Sequence, residues 1–569
     1  MNLKSILTKN NIVVVLILGA LIWLHLDLTS KTFLVDDRGS FHTALSGYGD
    51  IPLHLTQITK FAFRSFNLND PIFYGEQLHY PFLINLVSGV LLKITGWWTF
   101  SVLIPIYVLV IANIILAFLM YRRILKRQWL AAIAVVVFLL GSGLGGWRFV
   151  TKAYHEDWSP REFTQWLTDT SASTATRWDA KWPEQNIAFG APMSLVLVHQ
   201  RPFFLGMFLF LLWCYLVLDQ RTTPTWKKTI LAGIVFGIMP IAHAHSFVAV
   251  AGTLATLGLV ACWRRNWPEL YHYLGIAGVA AVLAIPQMWF LIGTKTLGTG
   301  HGSFLALHAG WMVEPTIGSV VVPAGQTPSP FRFSYLKYLW MNFGIILPLF
   351  IVGSFQKRVA PWFLSGAVLF FAVQFIRFQP WDYDNNKLLV YWQFFAVGVL
   401  MVLIERIWNR KKAWGIGVFA GVLVLGLGSG IIDEIPRVMA SRERLPEIAS
   451  VEARELTEYL ERHVGESELL LTGTSHLNPV AMLAGRQMLV GYPGWLWTRG
   501  IDYGERTKLM EDFYQNPSRT HDLLSLYPIQ YILVDDQVIR EQSFSAKPES
   551  FDALFEKVFE NARYRLYKI

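Results

Sequence analysis

The sequence predicts an α-helical polytopic membrane protein of about 11 spans with a C-terminal extracytoplasmic α/β domain, on three observations. The first is composition. Of 569 residues, 53% are hydrophobic and only 16% charged, where a soluble domain carries about 25% charged residues, and the mean hydropathy is +0.38. The second is a recurrence of apolar runs of roughly 15 to 23 residues, close to the ~20 helical residues that cross a bilayer core. The third is the placing of charge. The formal net charge of +9 sits mostly in short basic clusters beside apolar runs, as in Tyr121-Arg-Arg-Ile-Leu-Lys-Arg127. That is a topology signal and excludes a nucleic-acid-binding stripe.

The runs read as spans lie at about 12–27, 101–120, 129–146, 202–218, 229–244, 246–262, 270–292, 334–354, 360–376, 388–405 and 413–431. The first is a span and not a signal peptide, because Trp23, His25 and Asp27 follow it where small residues would mark cleavage. With Lys4 and Lys9 inside, the cluster Arg122 to Arg127 requires a single net inward crossing between residues 28 and 121. The short run Phe82 to Gly96, which carries Lys93, is therefore an interfacial or re-entrant helix. Alternation then puts Arg221, Lys227 and Lys228 inside, followed by Arg264 and Arg265, Lys357 and Arg358, and Arg406 with Arg410 to Lys412. The N-terminus is expected in the cytoplasm and the C-terminus outside, in a plasma or inner membrane. Cys214 and Cys262 both fall near the cytoplasmic face and read as small buried hydrophobes.

Residues 1–431 thus form a membrane domain whose loops 28–100, 147–201 and 293–333 face outward, with the short segment Gln379–Lys387 and a hairpin tip at His243-Ala-His245. Residues 432–569 form the outer α/β domain. Its charges are spread throughout, and helices at Val451–His463 and near Pro479–Ala484 alternate with strands at Glu468–Thr472, near Gln487–Val490, at Gln530–Val534 and at Arg563–Lys568. The only low-complexity stretch is Ser171–Thr176.

Chemistry is sought among the outward polar residues, because ionisable groups at membrane depth are costly and several on one face imply a shared aqueous site. In the first loop Asp50 and His54 are four apart and share a helical face ahead of the amphipathic Leu55, Ile58, Phe61 and Ala62. A carboxylate beside an imidazole suits general-base work on a hydroxyl, and capping of the helix by Asp50 is the structural alternative. Glu76 and His79 follow in Asn69-Asp-Pro-Ile-Phe-Tyr-Gly-Glu-Gln-Leu-His-Tyr-Pro81, ahead of the interfacial run. An acidic first loop, an amphipathic helix and then Tyr80-Pro81 opening a second apolar helix resembles the GT-C glycosyltransferases, which include protein O-mannosyltransferases and aminoarabinose transferases. The resemblance implies a first-loop aspartate as catalytic base and a polyprenyl-phosphate sugar donor. Asp50 matches that aspartate by position, with Asp36 and Asp37 as rivals.

The segment containing Trp381, Asp382, Tyr383, Asp384, Asn385, Asn386 and Lys387 is denser in polar groups than anchoring requires. Lys387 with Arg377 would meet a lipid phosphate, and Asp382 and Asp384 would hold a divalent cation; interface anchoring is the alternative. Arg201, in His199-Gln-Arg-Pro202, is a second phosphate candidate. His243 and His245 have no third partner at zinc spacing and read as hydrogen-bonding or packing groups. In the tail, His476-Leu-Asn-Pro479, Ala484-Gly-Arg-Gln487 and Gly491-Tyr-Pro-Gly-Trp-Leu-Trp497 stand out, the last as either a sugar-stacking surface or an interfacial belt. No glycine-rich nucleotide loop follows a strand, which fits a donor already activated as a lipid phosphate.

The expected function is transfer of a sugar from polyprenyl phosphate to a hydroxyl of a glycan, lipid or protein at the outer face, with no nucleic-acid partner. The alternatives are a polymerase or ligase of lipid-diphosphate glycans, which would centre on Arg201, and a transporter or flippase. Against the latter, the sequence shows no paired halves, and its polar residues cluster at one face rather than mid-membrane.

Overall fold

The computed structural model describes residues 9–168, 190–218, 225–292, 306–307, 333–378 and 382–569, with only the backbone described at 9, 10, 148, 306, 333, 334, 382, 383 and 519–522. Lys4, Ser171–Thr176, Arg221, Trp381 and most of the loop 293–333 lie outside the described residues. Among the described residues seven helices are long and apolar enough to cross a membrane: Asn11–Ser30, Trp98–Ile124, Ala244–Trp263, Trp267–Ile292, Lys357–Phe375, Asn386–Arg410 and Lys412–Met439. Two bent pairs raise the number to nine, Gln128–Leu140 with Gly145–His155 at 71° and Tyr335–Phe343 with Ile346–Gly353 at 92°. The remaining two of the 11 expected runs are the 17-residue helix Arg201–Val217 and the helix Trp226–Gly237, which is succeeded by the single turn Met239–Ala242.

The bundle is built round Asn386–Arg410, whose residues from Leu388 to Glu405 are all buried. A helix that is apolar on every side belongs in the middle of a bundle, and its few polar groups must find partners there. Gln393 does so by donating to the carbonyls of Phe138 (3.0 Å) and Gly141 (2.7 Å), at the end of Gln128–Leu140 where helical N–H donors run out. The two bends and a π-turn at Val422–Gly426 meet at this level: Ser142 N–H donates to Gly426 and Leu144 N–H to Met341. Irregular backbone at membrane depth is thus paired inside the protein.

Leu83–Thr95 has 13 residues, about 20 Å of helix against a ~30 Å hydrocarbon core, and stops at Gly96 in a left-handed conformation (φ 68°). It packs on the first-loop helix Ile51–Phe63, and a Cβ at Gly89 would sit 2.8 Å from the Ile58 carbonyl oxygen. The first-loop helix is buried from Ile51 to Ala62, although its sequence is only amphipathic. Its other side is covered by the C-terminal region: Thr59 Oγ1 donates to the Ala481 carbonyl (3.2 Å), and Gly485 (φ 61°) brings its backbone against Thr59 and Lys60.

The tail contains a four-stranded sheet in the order Leu469–Leu471, Ile529–Asp535, Tyr564–Lys568, Glu556–Glu560. The first two strands are parallel and the others antiparallel. Around residues 487–490, expected as a strand, there are only isolated bridges, from Met488 to Leu470 and from Val490 to Phe73. The second of these reaches into the first loop. A separate small sheet does the same, pairing Phe41–His42 with both Leu34–Val35 and Glu447–Ala449. First loop and tail therefore fold as one unit, and the last apolar helix runs on to Met439, beyond the expected boundary at 431.

Gly485→Ala is expected to destabilise the protein by about 2 kcal/mol or more, because it combines positive φ with a backbone collision. Gly96→Asn, at positive φ in open space, should cost less than about 1 kcal/mol. Thermal unfolding of the two variants in detergent checks the contrast.

Candidate active site

Asp50 stands at the N-cap position of Ile51–Phe63, but its side chain makes no capping hydrogen bond. The helix starts instead on Pro52 in its first turn, where a missing N–H is harmless, and the Asp50 backbone carbonyl accepts from His54 N–H. Its carboxylate, 36% exposed, lies 3.5 Å from Nε2 of the buried His199. The capping alternative for Asp50 is therefore not what the structure adopts.

One turn deeper, His54 is 2% exposed. Asn85 orders it. Arg201 Nε donates to Asn85 Oδ1 (3.1 Å), which turns the Asn85 amide so that its nitrogen donates to Gln57 Oε1 (2.8 Å) and to His54 Nδ1 (3.1 Å). His54 Nδ1 is then the acceptor and the ring is neutral. Burial first, and then the positive charges of Arg201, His199, Lys387 and Arg499, hold its pKa well below the ordinary histidine value.

Arg201, expected as an outward phosphate ligand, is held inside the protein. It is 3% exposed, and besides Asn85 it donates to the Val102 carbonyl (2.5 Å) and to Ser88 Oγ (2.6 Å). All three guanidinium nitrogens are engaged by Leu83–Thr95 and Trp98–Ile124, so Arg201 fastens helices. It is also the start of Arg201–Val217, so the segment that delivers His199 to Asp50 delivers this anchor two residues later.

Asp382–Asn385 forms a 3-10 turn leading into Asn386–Arg410. Lys387 Nζ pairs with Asp384 Oδ2 at 2.8 Å, with side chains 13% and 17% exposed, and Asn385 Oδ1 closes the turn by accepting Phe378 N–H. Arg377 lies in a two-residue strand, Ile376–Arg377, opposite Ala306–Leu307. The Lys387 charge bears on His54, and Tyr80 feels Asp50, Arg499 and Asp384 together. Burial and then the Asp50 charge push the Tyr80 phenol well above its usual range. Tyr80 thus stands where the first-loop, tail and 382–387 segments converge, with its ring 6.3 Å from that of His54.

The other expected residues are placed apart from this convergence or are otherwise engaged. His79 Nδ1 meets the Phe290 carbonyl at 2.7 Å, and Glu76 sits in the connecting turn, its carbonyl accepting Asp70 N–H. His243 shares Nδ1 with Ser246 Oγ (2.8 Å) and Tyr391 OH (3.4 Å), in a crossing so close that a Cβ at Gly206 would overlap Ser246 and His243. His245 stacks 5.2 Å from His243. Of the rival aspartates, Asp36 accepts from Arg38 and Ser40 N–H and meets His42 Nε2, as a turn-former, and Asp37 is exposed in the same turn. Among the described residues no three of His, Cys, Asp and Glu converge to hold a metal ion, and the Asp382 side chain lies outside the description.

Four residues were missed from sequence: His199, Tyr80, Asn85 and Arg499. The first two lie inside motifs already noted. Asn85 and Ser88, three apart in an otherwise apolar run, carried a readable signal of a buried polar face. Arg499 carried none. The aromatic run of the tail comes to Asp50 itself, with Trp495 Nε1 donating to the Gly49 carbonyl (3.2 Å) and Tyr48, His476, Tyr492 and Trp495 in mutual ring contact.

No family model and no curated protein matches the chain. Among solved structures it aligns with the oligosaccharyltransferase of Archaeoglobus fulgidus in its apo form, at 11% identity and TM-score 0.49, over 95% of this chain and 73% of that one. It aligns also with ArnT from Cupriavidus metallidurans bound to undecaprenyl phosphate, at 9% identity and TM-score 0.48, over 98% and 97%. A third is the archaeal oligosaccharyltransferase AglB from Archaeoglobus fulgidus with an inhibitory peptide and a dolichol-phosphate, at 11% identity and TM-score 0.47, over 92% and 69%.

Arg201→Met leaves Asn85 Oδ1, the Val102 carbonyl and Ser88 without their donor. It is expected to lower stability by about 3 kcal/mol, seen as a fall in melting temperature of the purified protein.

Proposed function

We propose that this protein is a membrane glycosyltransferase that moves a sugar from a polyprenyl-phosphate donor to an acceptor hydroxyl at the extracytoplasmic face, with Asp50 as the base. The observation that carries the reading is Asp50 itself: a partly open carboxylate at the head of a buried helix, not used as a cap, facing His199 among converging charges. A base for an incoming alcohol must be within reach of the hydroxyl, which a partly open carboxylate allows. Asp50 takes the acceptor proton while the acceptor oxygen bonds to the anomeric carbon. The bond from that carbon to the phosphate oxygen breaks, and polyprenyl phosphate leaves as an anion. Lys387, held by Asp384, stands near enough to His54 to share the site and supplies positive charge for that anion. His54, neutral and fixed by Asn85, positions the first turn of the helix and is not itself the base. Tyr48, His476, Tyr492 and Trp495 give the acceptor an aromatic surface beside Asp50.

The polymerase or ligase alternative depends on an arginine free to meet a diphosphate. Arg201 has its hydrogen bonds within the protein, so that reading loses its central residue.

With polyprenyl-phosphate sugars as donors, Asp50→Asn should reduce kcat by about 10² to 10⁴, the contribution of a positioned base. Lys387→Met should raise the donor KM. Full activity of Asp50→Asn, or no transfer by the wild type from any such donor, would overturn the assignment. Because His54 stays neutral through the physiological range, the acid limb of the pH–rate profile is that of a carboxylate and should persist in His54→Gln. A limb that disappears in that variant would instead make His54 the base.

A further inference from the structure

The C-terminal region places one arginine in this neighbourhood. Arg499 follows the short helix Pro493–Thr498 and is 5% exposed. Its Nη1 donates to Oδ2 of Asp70 at 2.7 Å, and Asp70, fully buried, uses Oδ1 to accept Ile72 N–H. The guanidinium carbon lies 4.9 Å from the centre of the Tyr80 ring. Its second amino group, Nη2, is buried and meets no acceptor among the described residues. A guanidinium N–H left unpaired in a protein interior is costly, and such groups in folded proteins nearly always have a partner.

The surroundings say what that partner is. Arg499 acts electrostatically on His54 and Tyr80, as do Lys387 and Asp50 respectively, so it shares the site's field. Among the described residues Arg201 hydrogen-bonds to neutral acceptors and no carboxylate contacts it. A guanidinium that holds one carboxylate through one nitrogen keeps a planar fork of donors for a second oxyanion.

We propose that Arg499 Nη2 donates to an anionic phosphate oxygen of the lipid-linked donor, so that the C-terminal domain completes the donor site. Asp70 is then the positioning residue that aims the guanidinium. The proposal rests on the glycosyltransferase reading above and adds to it a ligand contact from a region 429 residues away in sequence from Asp70.

The test uses the full-length protein in detergent, with farnesyl phosphate and inorganic phosphate as probes. Removing Arg499 alone strands a buried Asp70, so Arg499→Gln is combined with Asp70→Asn, which leaves a neutral pair, and the wild type serves as the control. The double variant is expected to bind farnesyl phosphate about ten-fold more weakly than the control, with the loss appearing in donor KM rather than kcat. A structure of the wild type with farnesyl phosphate, which needs no variant, should place a phosphate oxygen at about 3 Å from Nη2. Equal affinities of double variant and control, or a phosphate more than about 5 Å from Nη2, overturn the assignment of Arg499 while leaving the enzyme reading intact. No binding of farnesyl phosphate by the wild type overturns both. Inorganic phosphate binding as tightly as the lipid probe would make this a free-phosphate site and overturn the lipid assignment.

Discussion

The site depends on a guanidinium buried without a carboxylate. Taking the charge of Arg201 out of water is expensive, and the cost is offset only if each guanidinium nitrogen finds an acceptor. Asn85, Ser88 and the Val102 carbonyl supply those acceptors, and they come from two different helices. The requirement fixes Leu83–Thr95 and Trp98–Ile124 against the start of Arg201–Val217, at the level where the first-loop helix lies across them. It also sets the orientation of one amide, and through that amide the tautomer of His54. A local demand for hydrogen bonds at one arginine thus becomes order at the turn that carries Asp50, while the same chain segment brings His199 to the Asp50 carboxylate.

A second constraint works from the opposite side. The first-loop helix is buried on nearly every face, which its amphipathic pattern does not demand of a helix lying in the open. The tail covers it. Gly485 permits backbone contact with Thr59 and Lys60, Arg64 pairs with Glu461, and Arg499 reaches Asp70. Strands from residues 34–42 and 447–449 share a sheet. The candidate site is consequently assembled from segments near residues 50, 80, 199, 384 and 499, and none of them is positioned by its sequence neighbours alone.

That explains what could be read in advance and what could not. Apolar length is a local property, so the long spans and the short helix at 83–95 were legible, as were the tail elements with clear period and caps such as Val451–His463. Breaks in spans were not. Gly143 and Gly344 sit within the expected spans 129–146 and 334–354, and the bends are stabilised by contacts with Met341 and Gly426 that are remote in sequence. Asp50 and Lys387 could be chosen because a polar residue beside a span is conspicuous. Arg201 was equally conspicuous, but sequence shows that a charge is present and not which atoms meet it. Arg499 was invisible for the converse reason: in a tail rich in charges, one buried arginine looks like its neighbours.

The polar residues in this half of the molecule divide by exposure, and the division is itself informative. His243, Ser246 and Tyr391 form a closed triangle inside the bundle, and Asn85, Gln57 and His54 are likewise linked to one another. Groups whose hydrogen bonds close on themselves at this depth hold helices in register, because an opening would strand several donors at once. Asp50, Asp384 and Lys387 differ in keeping measurable exposure, 36%, 17% and 13% of the side chain. A group that exchanges protons with an acceptor, or meets a charge that forms and departs, must be reachable from outside, as these are, or must hold a donor that meets no acceptor among the described residues, as Arg499 does. The buried set cannot do this without unfolding locally, whereas the exposed set can. On the proposed glycosyl transfer, the same division favours Asp50 as the base and Lys387 as the cation for a leaving phosphate over the buried Arg201 and His54.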